Sequence, residues 1–245
     1  MTKLLLLSLL LALSCGKKDS DAEPSDLERV QKHRDELCAT FDPQTVERCD
    51  RITFVALMAT ACGRDYGLAG YEENGKWNRD TAPCYPQDSK SECSLDGYLS
   101  VLHYITKMRD REALQRMYSR LDSNGWICGE GPESVTSIKP LKSVIEHMTG
   151  ASFVDEADAT ITGFRGHLLA SYMWLRERVG MDILPGTYQA LAADVPSSPF
   201  YAALAGDKSR AVDRLLDFPA PYSQFWGSAP DSVVYATSVA IIEGR

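Results

Sequence analysis

The amino terminus determines the compartment in which this chain has to fold. A single positive charge at Lys3 is followed by an apolar run from Leu4 to Leu13 that only Ser8 interrupts. A helix of this length rises about 15 Å, half the thickness of the hydrocarbon core of a bilayer. The run is therefore too short to span a membrane and is typical of the apolar part of a signal peptide. We expect the chain to be exported.

The segment Leu11-Ala12-Leu13-Ser14-Cys15 resembles the lipobox that the signal peptidase of bacterial lipoproteins recognises. A small residue, Ser14, directly precedes the cysteine, whereas Ala12 stands where the family usually has Leu, Val or Ile. The resemblance implies that Cys15 carries lipid, so that acyl chains attach the protein to a membrane of the cell envelope, on the periplasmic side or at the outer membrane. An ordinary secretory signal with a chance cysteine is the alternative.

Six further cysteines follow Cys15, an even number that predicts three disulfides in an oxidising compartment. No two of them have C-x-x-C spacing and no histidine lies close to a pair, so a zinc site is disfavoured. The sequence allows 15 connectivities. Short loops favour Cys38 with Cys49 and Cys84 with Cys93, which leaves Cys62 with Cys128.

Composition and charge favour one globular domain. The chain has 245 residues, of which 44% are hydrophobic and 24% are charged. Residues 1–15 are the predicted signal peptide with its lipidated cysteine, 16–24 a polar tether, and 25–245 the folded domain.

The formal net charge of −8 becomes −9 once Lys3 is removed, and no cluster of Lys and Arg is present, which disfavours nucleic acid as a partner. No H-E-x-x-H and no Gly-rich phosphate loop occurs, so we predict neither a metal nor a cofactor.

Capping patterns and apolar periodicity predict helices throughout the domain. Ser25 and Glu28 form a capping-box pattern, and a helix from Asp42 to Ala61 should be central because its second half is apolar nearly all round. Further helices are expected from Ser94, from Asp110, over 137–148, 163–179 and 186–193, from Ser198, over 207–216, and over about 230–243. Residues 63–92 are expected to be a loop, and no stretch alternates long enough for a strand. The predicted class is all-α, with nine or ten helices in antiparallel hairpins.

Two carboxylates are the candidates for catalysis. Asp50 is expected on the apolar face of the central helix with Phe54 and Leu57, where burial would raise its pKa as a general acid requires. The alternative is a surface acid near the helix start. Asp96 stands in the first turn of the helix that follows the long loop, where the helix dipole alone would also favour an acid.

The long loop and the next helix supply candidate substrate-binding residues. Glu72, Trp77 and Arg79 combine an aromatic ring with charged groups, a set that suits sugars, although Trp77 could instead cover one end of the core. His103 shares a helix face with Asp96, and we include it among the candidate substrate-binding residues. The alternative is a purely structural role for His103. His103 and Asp96 lie about 10 Å apart along the helix, too far for a catalytic triad.

One candidate acid stands in Glu47-Arg48-Cys49-Asp50 and the other in Asp96-Gly97-Tyr98. Together with the paired helices, these segments resemble the α/α-toroid proteins, which include six-hairpin glycosidases and polysaccharide lyases. The resemblance covers roughly residues 40 to 242. It implies an incomplete α/α toroid with a cleft at one end, where carboxylates act on a glycan. The sequence therefore leaves two hypotheses open: an envelope protein that binds a glycan or a protein partner without catalysis, and a glycoside hydrolase or lyase.

Overall fold

The structure, a computed structural model, describes residues 24–84, 92–129, 136–155, 166–218 and 229–244. The predicted signal peptide, Cys15 and all but the last residue of the tether lie outside these ranges. The described residues are mostly helical, which confirms the predicted class at this level. The α-helices are α1 (Asp26–Thr40), α2 (Arg51–Cys62), α3 (Leu95–Met108), α4 (Arg111–Ser123), α5 (Lys142–Thr149), α6 (His167–Arg178), α7 (Thr187–Asp194), α8 (Pro199–Leu204), α9 (Lys208–Leu216) and α10 (Asp231–Ile242), and the 3-10 helices are Pro43–Thr45, Leu68–Tyr71 and Lys139–Leu141.

Two short antiparallel hairpins accompany the helices, so the expectation of no strands was wrong. They are β1 (Glu72–Glu73) with β2 (Lys76–Trp77), and β3 (Ile127–Cys128) with β4 (Thr136–Ser137). The first hairpin turns at Asn74 and Gly75, whose φ angles of 50° and 84° are those a two-residue hairpin turn requires. A Cβ at Gly75 would overlap the backbone oxygen of Arg116, so this hairpin lies directly against α4.

Side-chain caps mark where five of the ten described α-helices begin. The Glu28 backbone N–H donates to Ser25 Oγ and the Ser25 N–H donates to the Glu28 carboxylate, which completes the predicted capping box of α1. The helices α3, α4, α8 and α9 are capped by Ser94, Asp110, Ser198 and Asp207. The starts predicted from these residues are confirmed.

The central helix α2 is shorter than predicted. Asp42 caps only the 3-10 turn Pro43–Thr45, and the backbone leaves helical geometry until Arg51. Cys49 has a φ of 77°, in the left-handed region that interrupts a right-handed helix. Residues 52–61 are all buried, which confirms the predicted central position of this segment. On either side α2 packs against α3 and α10.

Neighbouring helices α2 and α3 run parallel rather than antiparallel. Near their starts, Thr53 Oγ1 donates to the Asp96 carboxylate at 3.4 Å. Near their ends, a Cβ placed on Gly63 would lie 3.6 Å from Lys107 Cε. The connection of residues 63–94 makes this possible, because it returns the chain from the end of α2 to the level where α2 begins. Within the described ranges, no helix combines the length and the hydropathy needed to cross a bilayer.

The six cysteines after Cys15 all lie in the described residues, where they form two disulfides whose pairing differs from the one predicted. Cys38 is bonded to Cys62, which joins the ends of α1 and α2. Cys93 is bonded to Cys128, which joins the start of α3 to β3. The two remaining cysteines, Cys49 and Cys84, are reduced and contact each other through their side chains. Short loops did not decide the pairing, because packing brings distant cysteines together.

Candidate functional site

The first candidate carboxylate, Asp50, occupies the N-cap position of α2 rather than its apolar face. Its side chain is 32% exposed and makes no capping hydrogen bond. Its Oδ1 lies 3.8 Å from Nη2 of Arg79, a weak ion pair. The predicted stripe with Phe54 and Leu57 was wrong, because the helix begins only at Arg51. Asp50 therefore faces a guanidinium at the rim of the core.

Backbone hydrogen bonds hold Arg79 over the first turn of α2. Its carbonyl accepts from the Ile52 N–H at 3.1 Å, and its N–H donates to the Glu92 carbonyl at 2.6 Å. Since Ile52 follows directly on the helix start, the middle of the long connection is fixed where α2 begins. Arg79 is the one candidate binding residue of this connection that lies beside a candidate carboxylate.

The second candidate carboxylate, Asp96, lies in the first turn of α3 and close to the start of α6. It accepts a hydrogen bond from Thr53 Oγ1, while the Thr53 N–H donates to the Asp50 carbonyl at 3.1 Å. Burial lowers the pKa of His167, the first residue of α6, and the charge of Asp96 partly offsets this effect. The starts of three helices therefore bring Asp50, Thr53, Arg79, Asp96 and His167 to one end of the domain, and we call this set the N-terminal cluster.

Glu72 and Trp77 are not part of the N-terminal cluster. The Glu72 carboxylate accepts two hydrogen bonds from the Arg116 guanidinium, at 2.6 and 2.7 Å, which fix β1 against α4. Trp77 is 3% exposed, and its backbone N–H donates to Tyr98 Oη. A buried indole cannot offer its face to a sugar, so the structure favours the alternative in which Trp77 covers the core. The predicted grouping of these two residues with Arg79 was wrong.

His103 is fully buried between α3 and α6 and cannot reach a substrate. Its Nε2 lies 2.9 Å from the Ser171 carbonyl oxygen, and its Nδ1 lies 3.1 Å from Nη1 of Arg178. A carbonyl can only accept and a guanidinium can only donate, so Nε2 carries the proton and Nδ1 is the acceptor. Burial, with the charge of Arg178 as the second cause, holds the pKa of His103 well below its ordinary value. His103 is thus a neutral structural residue.

The sequence did not indicate the role of Asp80, which organises the approach to α2. Asp80 is 4% exposed, and it accepts hydrogen bonds from the Arg51 guanidinium at 2.9 Å and from the Cys49 and Thr81 backbone N–H groups. A buried carboxylate needs such partners to offset its lost hydration. This arrangement holds residues 79–84 beside Cys49, which explains why Cys84 lies against that thiol.

The opposite end of the domain contains a cavity that the sequence did not predict. Its volume is about 680 Å³, and its lining comes from the final turns of α3, α6, α8 and α10. The lining includes Lys107, Arg109, Trp174, Arg178 and Ile241. We call it the C-terminal cavity. It differs from the N-terminal cluster in that the charged side chains around it are mainly cationic.

Comparison of the chain with protein-family models, with curated protein sequences and with solved structures found no match. Among the residues that the structure describes, no group of three or more His, Cys, Asp or Glu side chains is placed to hold a metal ion. The function therefore has to be argued from the two ends of the helical domain.

Proposed function

We propose that the protein is an exported lipoprotein of the cell envelope, anchored by lipid on Cys15, and that its helical domain binds a glycan without turning it over. The N-terminal cluster carries this proposal. It places two carboxylates, a guanidinium and an imidazole from separate segments at one partly exposed end of the domain, where the buried Thr53 hydroxyl holds Asp96. Such a set offers both donors and acceptors, which is what the hydroxyl groups of a sugar require.

The proposed fold is an incomplete α/α toroid whose inner helices are α2, α3, α6, α8 and α10. Supporting contacts run from α2 to α3, α3 to α6, α6 to α8, α8 to α10 and α10 back to α2. At one end, Gly166 before α6 lies beside Tyr201 of α8 and Asp96 lies beside His167. At the other end, four of these helices contribute to the C-terminal cavity. Parallel inner helices would place all their first turns, and hence the N-terminal cluster, on one face.

A third disulfide between Cys49 and Cys84 belongs to the same proposal. The two thiols already contact each other, and burial, with Cys49 as the second cause, raises the pKa of Cys84. A thiol held mainly in its protonated form reacts slowly by itself, so export machinery would have to oxidise the pair. The bond would tie the long connection to the start of α2.

The thiol content of the exported protein tests this part of the proposal. Alkylation without reduction, followed by mass spectrometry, should label none of the cysteines after Cys15, and reduction should expose six. The same spectra should contain a lipid mass on Cys15, which Cys15→Ala should abolish. Alkylation of Cys49 and Cys84 in the unreduced exported protein would contradict the third bond. An unlipidated mature protein would contradict the anchor.

Glycan binding is tested by incubating the full chain with an array of polysaccharides and peptidoglycan, with binding and sugar release scored separately. We expect binding to at least one glycan without release of sugars. Asp96→Asn should weaken that binding about tenfold, because a charge-assisted hydrogen bond is lost. The matched control is Asp122→Asn, an exposed acid on α4 that should have no effect. Absence of binding to every glycan in the array would overturn the proposal.

A glycoside hydrolase or lyase is the second candidate, and the electrostatic interaction between Asp96 and His167 favours it. Burial lowers the pKa of His167, so its imidazole is neutral at pH 7 and able to accept a proton beside a carboxylate. This enzyme would release sugars in the same array. Asp50→Asn and Asp96→Asn should each abolish release while the variants remain folded, and release that survives in both would exclude these carboxylates as catalytic residues.

A further inference from the structure

The C-terminal cavity has the size and lining of a site for a small organic molecule. Its volume of about 680 Å³ falls within the range of about 300–1,000 Å³ that ligand pockets occupy. Trp174, Leu204 and Ile241 provide apolar surface, and Lys107, Arg109 and Arg178 provide positive charge. This cavity lies at the far end of the helices from the N-terminal cluster, so a ligand here would bind independently of any glycan at the cluster.

Arg178 is the group that indicates the chemistry of the ligand. Its Nη1 donates to His103 Nδ1 at 3.1 Å and to the His103 carbonyl at 3.3 Å, and the guanidinium carbon lies 5.1 Å from the centre of the Trp174 ring. Its Nε and Nη2 donate to no described residue, and no described carboxylate forms an ion pair with it. Burial lowers the pKa of Arg178 to about 10. The cation is thus partly dehydrated without the acidic partner that normally offsets this cost.

Compensation of helix dipoles does not explain this placement. The helix dipole favours cations near the last turn of a helix, and Lys107 and Arg109 stand at that position at the end of α3. Arg178 instead turns from the end of α6 towards His103 in the middle of the neighbouring helix. Because His103 is itself fixed by Ser171, the guanidinium is held in one orientation before any ligand arrives. Because the guanidinium is already held in place, its Nε and Nη2 donors lose little conformational entropy when a ligand binds.

The acidic groups around the cavity do not neutralise this charge. Glu177 is the one carboxylate among the described lining residues, and it accepts a hydrogen bond from Tyr188 Oη at 3.2 Å. The balance of the lining is therefore three cations against one anion. An anion in the cavity would gain the attraction of this excess at a place where water is partly excluded.

We propose that the C-terminal cavity binds a small organic anion, whose carboxylate or phosphate group pairs with Arg178 while its apolar part contacts Trp174 and Ile241. The planar guanidinium suits the two oxygens of either group. Lys107 at the rim adds attraction over a longer distance. The aromatic and aliphatic lining favours a ligand with a ring or a short hydrocarbon part over a bare inorganic ion.

Calorimetric titration of the full chain with benzoate and with phenyl phosphate tests the proposal. At least one of the two should bind, and benzyl alcohol, which has the ring without the charge, should bind at least tenfold more weakly. Arg178→Met should weaken binding of the anion about tenfold or more, because a charge-assisted pair is lost. Arg214→Met is the matched control, since Arg214 is an exposed arginine in the last turn of α9 outside the cavity.

A second variant covers the case in which Arg178→Met does not fold. Lys107→Met changes only a rim residue and should weaken binding severalfold, and added salt should weaken it further in the wild type. Failure of both anions to bind would overturn the proposal. So would equal binding of benzyl alcohol, or anion binding that is unchanged in every folded cavity variant.

Discussion

Replacing His103 by glutamine should remove an acid sensitivity that burial gives to this fold. In the native state the imidazole is neutral and cannot gain a proton without breaking its bond with Arg178. Burial, followed by the charge of Arg178, lowers the pKa of His103 well below its ordinary value, and the Ser171 hydrogen bond only partly opposes this shift. The unfolded chain regains an ordinary pKa of about 6.5. Below that pH the unfolded state binds a proton that the native state does not.

The sign and the magnitude of the effect follow from this difference in bound protons. Stability from His103 is present in full above pH 6.5 and is lost as the pH falls below it, at a limiting slope of about 1.4 kcal/mol per pH unit. Between pH 7.5 and pH 5.5 the loss is about 1.4 kcal/mol. Glutamine does not titrate, yet its amide nitrogen can donate to the Ser171 carbonyl in place of Nε2.

Urea unfolding followed by tryptophan fluorescence measures the effect when wild type and His103→Gln are compared at both pH values. The variant should be less stable at pH 7.5, because a glutamine whose amide nitrogen replaces Nε2 does not place its oxygen where Nδ1 accepts from Arg178. The stability difference between the two proteins should then shrink by about 1.4 kcal/mol at pH 5.5. His167 also has a lowered pKa, but it is present in both proteins and cancels. A difference that does not change with pH would refute the reasoning.

Three further variants, one of them a double substitution, test the packing, with the free energy of unfolding in urea as the measurement and Gly125→Ala as a control. Gly75→Ala should lower the free energy of unfolding by about 1–3 kcal/mol. The control Gly125→Ala, also at positive φ but with open space around its Cβ, should lower it by less. Equal losses in the two variants would exclude close packing of the hairpin against α4. Leu57→Ala, fully buried on α2, should cost about 2–5 kcal/mol, and a cost near zero would contradict its central position. Replacing Cys93 and Cys128 together by alanine should cost about 2–4 kcal/mol, and an unchanged stability would argue against that bond.

Features that depend on a few neighbouring residues could be predicted from the sequence. The starts of α1 and α4 follow from Ser25 with Glu28 and from Asp110, because a cap needs only a side chain and a backbone N–H three residues later. The β1–β2 hairpin was equally local. Its Asn74-Gly75 turn is a strong hairpin signal, and it was missed because each strand is only two residues long.

Features that depend on packing between distant segments could not be predicted. Cys38 bonds to Cys62 because α1 and α2 end side by side, and the distance along the chain gives no indication of this. The position of Asp50 was wrong for a similar reason. Its predicted place in the helix assumed that Asp42 caps the whole segment, whereas Asp42 caps only a 3-10 turn and the backbone has a φ of 77° at Cys49, whose N–H donates to Asp80 from the long connection.

The role of Arg178 follows from a contact across 75 residues of sequence. Its position at the end of a periodic helix suggests an ordinary dipole partner. Only the packing of α3 against α6 turns the side chain towards His103 and leaves its other donors to the cavity. The residue on which the proposed anion site depends was therefore ordinary in the sequence, while His103, a conspicuous residue type, holds that residue in place.

The parallel orientation of α2 and α3 connects stability with function at the N-terminal cluster. Parallel helices place their positive dipole ends together, and an acid in the first turn offsets part of the resulting repulsion. Asp96 stabilises the fold in this way by about 0.3–1 kcal/mol whether or not it binds a ligand. Asp96→Asn should therefore lower stability, and on the proposed function it should lower glycan affinity as well. Measuring the affinity at several temperatures separates the two effects. If the variant loses as much affinity well below its unfolding transition as near it, Asp96 contacts the ligand. If the loss of affinity vanishes on cooling, the carboxylate acts only on the fold.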